Sequence, residues 1–205
     1  MKNPVEFILR FMKTFITVFI LCSIGLVSSA TDKNKKVNPT VSPEEMKLYA
    51  LIMEYRKANH LPLIPLSLCL TFVAQQHCID LAVNKPDKGE GCNAHSWSRK
   101  GKWTPCCYTP DHKQASCMWI KPRELTNYED NGFEIACGTW SIDFVMTADY
   151  ALDSWKHSEH HNNVILNKDK WRDMKWNAIG IGVYNGYAAV WFGAATDKEG
   201  PPKNN

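Results

Sequence analysis

The stretch that decides the fold is WNAIGIGVYNGYAAVWFG, residues 176–193. Apolar branched residues alternate with glycine before residue 185, and small or aromatic residues alternate after residue 186, which is the two-residue period of β-strands. The pair Asn185-Gly186 is preferred in two-residue hairpin turns. Gly180 and Gly182 leave one face of the first strand without side chains, so a helix or a ligand can approach its backbone closely. We therefore predict an antiparallel hairpin covered by helices.

A first helix is predicted to begin at Ser42-Pro43-Glu44-Glu45. Ser42 and Glu45 have the spacing of a capping box, and Pro43 suits the first helical turn. The helix should end before Leu61-Pro62. The apolar positions near helical period in this helix are Met46, Tyr49, Ala50, Met53 and Tyr55.

Two further helices are predicted between this one and the hairpin. One begins after Ser67 and ends near Val83, before Lys85-Pro86. Another begins near Thr147, and its shared apolar face consists of Ala148, Ala151, Leu152 and Trp155. Helices combined with an antiparallel hairpin place the chain in the α+β class.

Residues 87–132 are predicted to form a long loop region fastened by disulfide bonds. The candidate cysteines are Cys69, Cys78, Cys92, Cys106, Cys107, Cys117 and Cys137. Because seven is odd, at least one thiol stays free or pairs with another chain. Cys69 and Cys78 are about half a turn out of phase on one predicted helix, so they cannot bond each other. Metal binding is the alternative use of these cysteines, but no Cys-x-x-Cys pair supports it.

Residues 1–30 are predicted to be a signal peptide. Basic residues precede the apolar run Phe15–Val27, which is shorter than a membrane span, and Ser28-Ser29-Ala30 offers small residues for cleavage. A retained anchor is the alternative. Residues 31–41 are predicted to be a flexible lead-in and residues 196–205 a polar C-terminal tail that frays.

The charge and hydropathy of the remaining chain restrict its partners. Three of the 24 Lys and Arg residues and one of the 21 Asp and Glu residues lie in the first thirty positions, so the rest is nearly neutral. We expect no nucleic-acid binding, since there is no basic field. No later segment is apolar enough for a stable membrane span after signal removal. The protein is predicted to be secreted, to the extracellular space or to the periplasm and cell envelope.

Two other segments carry histidines from distant parts of the chain: Asn93-Ala94-His95-Ser96, and SWKHSEHH at residues 154–161. Together with the hairpin, in this order, they resemble the CAP superfamily of cysteine-rich secretory proteins, antigen 5 and pathogenesis-related 1 proteins, which share the SCP domain. The likeness covers about Ser42 to Gly193, so residues 42–195 are predicted to form one CAP-like domain. The resemblance implies an α-β-α sandwich, with an antiparallel sheet, helices on both faces and long disulfide-stapled loops.

The resemblance also implies a central cleft. His95 and His161 stand at the two histidine positions of the family, which face one cavity and in some members hold zinc or another divalent cation with two glutamates. We therefore expect either a divalent cation at these two histidines or hydrogen-bonded scaffold histidines without one. His160 is expected at the rim or in solvent. The other histidines without a partner pattern are expected to be ordinary surface or helix residues: His60, His77 and His112.

The chain departs from the family pattern at both glutamate positions. Phe133 stands at the first, with Glu134 next to it, and Ser158 stands at the second, with Glu159 beside it. A shift of one residue in an extended segment turns the side chain to the other face. The cleft is predicted to contain Glu134 and Ser158 with the two histidines, and Glu134 and Glu159 are the candidate catalytic residues.

Three functions remain open at this stage. The first is a non-enzymatic binding module for an unknown protein or a lipid- or sterol-like ligand. The second is a divalent-metal-dependent, peptidase-like hydrolase that uses His95 and His161. The third is a structural cell-envelope protein cross-linked through a free surface cysteine. The tryptophans of the loop region are interpreted as local packing, with a binding surface as the alternative: Trp97, Trp103 and Trp119.

Overall fold

A computed structural model describes residues 35–141 and 143–204. The predicted signal peptide, residues 1–30, and the first part of the predicted lead-in lie outside these ranges. Within them, no helix is both long enough and apolar enough to cross a membrane.

The described residues form both helices and strands. In chain order they are β1 (Thr40–Val41), α1 (Pro43–Ala58), α2 (Leu68–Asn84), α3 (Ala115–Trp119), α4 (Lys121–Leu125), β2 (Gly132–Gly138), α5 (Ala148–Lys156), α6 (Glu159–Ile165), β3 (Ala178–Tyr184), β4 (Tyr187–Gly193) and β5 (Lys203–Asn204). Single 3₁₀ turns occupy Pro86–Lys88 and Asp169–Trp171. The three predicted helices and the hairpin are present, with Ser42, Ser67 and Thr147 as N-caps.

The main sheet is antiparallel, with strand order β2-β4-β3. The outer edge of β3 is covered, because the Ser67 N–H donates to the Ile179 carbonyl at 2.8 Å and the Ile179 N–H donates to the Pro65 carbonyl at 3.0 Å. β2 forms the other edge. The Thr139 N–H donates to the Gly186 carbonyl, and these two residues continue the register between β2 and β4. Because hydrogen-bonded pairs alternate along an antiparallel ladder, the odd-numbered residues of β2 are the ones hydrogen-bonded to β4. The backbone N–H and C=O of Glu134 therefore point away from β4, at the free edge of the sheet.

One face of the sheet packs against α1, α5 and α6. Its core includes Trp155, Ile181 and Val190, all with no solvent exposure. The apolar stripe predicted for α1 is partly wrong, because Ala50 is exposed and the buried face carries Glu45 and Arg56 as well as Leu48 and Ile52. Both polar side chains have partners, which is what allows their burial. Arg56 donates to the Ile165 and Pro62 carbonyls, and Glu45 accepts from Gln75.

The opposite face packs against α2, at the glycines of β3. A Cβ atom added to Gly180 would lie 2.0 Å from the carbonyl carbon of Leu70, and one added to Gly182 would lie 2.4 Å from that of Ala74. The helix backbone thus rests directly on the strand backbone, as the sequence indicated. With helices on both faces, the architecture is the predicted α+β, α-β-α sandwich.

The C-terminal tail is part of the packed unit, so the prediction that residues 196–205 fray is wrong. β5 pairs in parallel with β1, which lies in the predicted flexible lead-in. The Asp197 carboxylate accepts from the Ser67 hydroxyl at 2.6 Å and from the Cys69 N–H at 2.8 Å. The bond from Cys69 satisfies a free N–H group at the start of α2, where a negative charge is also favourable. The packed unit therefore extends beyond residues 42–195 at both ends.

Two disulfide bonds fasten the loop region, Cys92–Cys107 and Cys106–Cys117. The other three candidates are free, so their assignment as disulfide cysteines is wrong: Cys69, Cys78 and Cys137. The physical reason is placement, since each packs in a different apolar cluster. Burial raises the pKa of the Cys69 and Cys137 thiols to about 12, so both remain protonated.

Candidate functional site

Glu134 is the centre of a buried charge cluster. Its carboxylate accepts a hydrogen bond from His77 through one oxygen and from His95 Nδ1, at 2.8 Å, through the other. Neighbouring Phe133 points to the opposite face of β2, where it packs against Trp119, Trp171 and Trp176. Glu134 lies one position after the glutamate of the family pattern. It thus contacts His95, a histidine of that pattern, from the α2 side of the sheet.

His77 was missed by the sequence analysis, which treated it as an ordinary residue. Its side chain is fully buried, and its Nε2 lies 2.9 Å from the Ser96 carbonyl, which can only accept. Its Nδ1 faces the Glu134 carboxylate, which also accepts. Both ring nitrogens therefore donate, and His77 is an imidazolium. Leu70, Ala74, His77 and Leu81 follow helical spacing on the buried face of α2, so the period of the helix was the signal that could have found it.

The pKa values of the pair agree with this protonation state. Burial raises the pKa of Glu134, but the charges and hydrogen bonds of His77 and His95 outweigh it and lower that pKa to about 2. Burial lowers the pKa of His77, and the Glu134 carboxylate outweighs it, so the net shift is upward. His77 also stacks on Trp97, with 4.2 Å between ring centroids and 7° between planes, an arrangement that favours a cation.

The disulfide-bonded loop that carries His95 places this side chain next to the Glu134 carboxylate. The His95 N–H donates to Asn93 Oδ1 at 3.0 Å, and the Ser96 hydroxyl accepts from the Tyr108 N–H at 2.9 Å. Trp97 and Cys106 form an antiparallel β-bridge. Cys106 and its neighbour Cys107 each belong to one of the two disulfide bonds. The loop geometry is thus set by covalent and backbone bonds.

His161 approaches from the other side of the sheet, on α6. Burial, followed by the charges of His95 and His160, lowers its pKa to about 4, so the ring is neutral at pH 7. Ser158 immediately precedes α6, and His160 is exposed at the rim. Glu159 is exposed and does not line the cleft, so the structure contradicts its role as a candidate catalytic residue of the cleft. As the first residue of a short helix, it points outward while His161 points inward.

A cleft of about 490 Å³ lies at the edge of the sheet formed by β2. The structure brings together four predicted site residues there: His95, Glu134, Ser158 and His161. Much of the wall is apolar or aromatic and includes Tyr108, Met118, Trp119, Phe133, Val164 and Trp171. Trp119 therefore belongs to the cleft wall, whereas Trp97 is buried and Trp103 packs against it. His112 also lines the cleft, which the sequence analysis did not predict.

The donor set does not fit a catalytic metal ion. Both oxygens of Glu134 are hydrogen-bonded, which leaves His95 and His161 from the predicted set, and a zinc site takes three or four protein ligands. Among residues 35–141 and 143–204, no three His, Cys, Asp or Glu side chains are grouped so that they could hold an ion. A divalent cation at His95 and His161 stays a prediction from the family resemblance.

Comparisons with known proteins found structural similarities only. No protein-family model matches the chain, and a search of curated proteins found no match. Among solved structures, an extracellular protein containing an SCP domain from Bacillus anthracis is 19% identical, with a TM-score of 0.46, over 73% of this chain and 39% of that chain. An outer surface protein from Borrelia burgdorferi is 18% identical, with a TM-score of 0.47, over 77% of this chain and 98% of that one.

A cysteine-rich secretory protein from Staphylococcus aureus is 15% identical, with a TM-score of 0.45, over 74% of this chain and 39% of that chain. The match thus spans well under half the length of the Bacillus and Staphylococcus proteins. Two of the three are described as an SCP-domain protein and a cysteine-rich secretory protein, which is the family that the sequence motifs of this chain resemble.

Proposed function

We propose that the protein is an exported, non-enzymatic binding protein whose cleft holds an apolar ligand of lipid or sterol type. One observation carries the proposal. The cleft of about 490 Å³ has a largely apolar and aromatic wall, and both oxygens of its buried carboxylate, Glu134, already accept hydrogen bonds from two histidines. Such a site favours burial of an apolar ligand over transfer of a proton.

The size and chemistry of the cleft suit a small ligand. Ligand sites commonly measure about 300–1,000 Å³ and combine apolar walls with a few polar groups. Neutral His161 supplies one polar contact, since no hydrogen bond to its ring is found within the described residues. A hydroxyl or carboxyl at one end of an otherwise apolar ligand would bond to this ring.

The two candidate catalytic carboxylates, Glu134 and Glu159, do not favour a hydrolase. A general base works best with a pKa near the operating pH, whereas the pKa of Glu134 is about 2. Glu159 lies outside the cleft. The structural cell-envelope role depended on an exposed free thiol, but of the three free cysteines in the described residues two are buried and Cys137 is half-buried.

Export is supported by the disulfide bonds. Two disulfides form within the described residues, and such bonds persist in oxidising compartments. The predicted signal peptide, residues 1–30, points to the same compartment.

The test is titration of the purified protein with a fluorescent sterol and, separately, a fluorescent fatty acid, read by energy transfer from tryptophan. Trp119 and Trp171 in the cleft wall would be the donors. An Asn163→Trp substitution places a bulky side chain on the cleft wall, and His157→Trp, exposed and outside the cleft, is the matched control.

We expect saturable binding of one probe, a loss of at least about tenfold in affinity for Asn163→Trp, and no loss for the control. Equal binding by the parent and Asn163→Trp proteins, or no binding of either probe, would rule out the proposal.

A further inference from the structure

The exposed apolar side chains of the protein concentrate at one end. Seven large hydrophobic residues are exposed among those described, and six lie on elements that meet around the β3–β4 turn: Ile79, Val83, Trp140, Val145, Tyr150 and Tyr184. The seventh, Leu63, lies in the segment between α1 and α2. We name as the aromatic end the surface formed by Val83, Lys85, Lys88, Trp140, Val145 and Tyr150.

Backbone bonds hold this end in place. The Thr139 N–H donates to the Gly186 carbonyl at 2.9 Å, and the Met146 N–H donates to the Asn185 carbonyl at 2.8 Å. Both ends of the segment that carries Trp140 and Val145 are therefore tied to the hairpin turn. Phe144 packs edge-on against Tyr150, with 4.9 Å between ring centroids. These bonds fix Thr139 and Met146, the neighbours of Trp140 and Val145, which lowers the entropic cost of presenting the two side chains.

The apolar side chains of this end remain largely in solvent. The exposed fraction is 53% for Trp140, 60% for Val83 and 73% for Val145. A single exposed apolar residue is ordinary, but a cluster of this kind marks a surface that contacts something else.

Two ammonium groups flank the exposed indole. Lys85 Nζ lies 5.5 Å and Lys88 Nζ 5.3 Å from the Trp140 ring centroid. Asp87 lies 3.4 Å from Lys88 but is largely buried and accepts from the Tyr187 hydroxyl, whereas the Lys88 ammonium is half-exposed. Of the other carboxylates on this side, Asp149 is paired with Lys47 and Asp143 is exposed.

This combination fits the chemistry of a membrane surface. Tryptophan and tyrosine settle at the level of the lipid headgroups, with one end apolar and the other hydrated. Lysine extends its ammonium to the phosphate while its stem covers apolar surface. A protein partner of ordinary composition supplies no row of phosphates, so the paired lysines favour the lipid surface as the occupant.

We propose that the aromatic end docks on the surface of a phospholipid bilayer. Trp140 lies at the headgroup level, Val83 and Val145 enter the acyl boundary, and Lys85 and Lys88 contact lipid phosphates. The proposal goes beyond the proposed function, because none of these residues lines the cleft that contains His95 and His161.

The test is flotation of the purified protein with vesicles of phosphatidylcholine alone and of phosphatidylcholine with phosphatidylglycerol. A Trp140→Ser/Val145→Ser variant removes the two apolar contacts, and Leu63→Ser, with an exposed fraction of 59% away from this end, is the matched control. We expect the double variant to lose about tenfold or more in partitioning and the control less than about twofold. Lys85→Glu/Lys88→Glu should lose most on the vesicles with phosphatidylglycerol.

Each variant changes exposed side chains, and the midpoint of urea unfolding verifies that it remains folded. Equal flotation of the parent protein and the Trp140→Ser/Val145→Ser variant would overturn the proposal. The proposal would also be overturned if the parent protein bound neither kind of vesicle and self-associated through Trp140. Binding of the fluorescent cleft probe should be unchanged in these variants, so failure here leaves the proposed function standing.

Discussion

Replacing Glu134 by glutamine should remove a large part of the stability of the fold. The side chain keeps its shape, but the buried anion that faces His77 and His95 is lost. The pKa of Glu134 falls from 4.5 to about 2 on folding. At about 1.4 kcal/mol per unit, this shift corresponds to about 3 kcal/mol at pH 7. Breaking a buried ion pair by removing one partner costs about 3–5 kcal/mol, which agrees.

The pH dependence identifies the source of the loss. The lowered pKa of Glu134 contributes stability that is fully present above pH 4.5 and disappears as the pH falls toward 2. The raised pKa of His77 contributes stability that is present below pH 6.5 and is lost as the pH rises through its folded value. The parent protein should therefore be most stable between about pH 4.5 and 6.5 from this pair, and the variant should lack that maximum.

The assay is urea unfolding followed by tryptophan fluorescence from pH 3 to pH 8. Glu129→Gln is the matched control, because Glu129 pairs with Lys198 at the surface and both are mostly exposed, so it should cost less than about 1 kcal/mol. If Glu134→Gln were as stable as Glu129→Gln at pH 6, the reasoning that places an ionised pair at Glu134 and His77 would be refuted.

Three further outcomes are expected. Gly180→Ala should lose about 3 kcal/mol or more in urea unfolding, because its Cβ would meet the α2 backbone at 2.0 Å; Gly200→Ala meets no atom within 4 Å and should lose only about 1 kcal/mol from its positive φ. In NMR titrations the His161 ring should stay neutral down to a pKa of about 4, and a midpoint near 6.5 would contradict its burial. Calorimetric zinc titration should show no saturable site that disappears in His95→Ala/His161→Ala, since no three His, Cys, Asp or Glu side chains of residues 35–141 and 143–204 are grouped to hold an ion; a site lost in that variant would disprove this.

The sequence predicted α1, α2, α5 and the β3–β4 hairpin because their signals are local. Caps at Ser42, Ser67 and Thr147, the turn at Asn185-Gly186 and the glycines of β3 each act on neighbouring residues. The glycines indicated that a helix or a ligand could approach the strand backbone, since a missing side chain permits such contact. The α+β class follows from these signals with the helical periods of α2 and α5, whereas the α-β-α sandwich was implied by the family resemblance.

The polar interior was less predictable. The apolar stripe assigned to α1 missed Glu45 and Arg56, whose burial depends on Gln75 and on the Ile165 carbonyl, both distant in sequence. The tail was expected to fray because its composition is polar. Its Asp197 carboxylate instead accepts hydrogen bonds from the Ser67 hydroxyl and the Cys69 N–H at the start of α2. In each case the partner decides whether a polar group can be buried.

The sequence by itself predicted α1, α2, α5 and the β3–β4 hairpin, together with the two histidines of the motifs. Only the tertiary structure decided that Glu134 faces His77 and His95, that Glu159 lies outside the cleft, and which cysteines pair. The reason is that helix caps and strand periods arise between neighbours in the chain, whereas a buried charge is stable only where packing brings an opposite charge to it across 57 positions, as it does for His77 and Glu134.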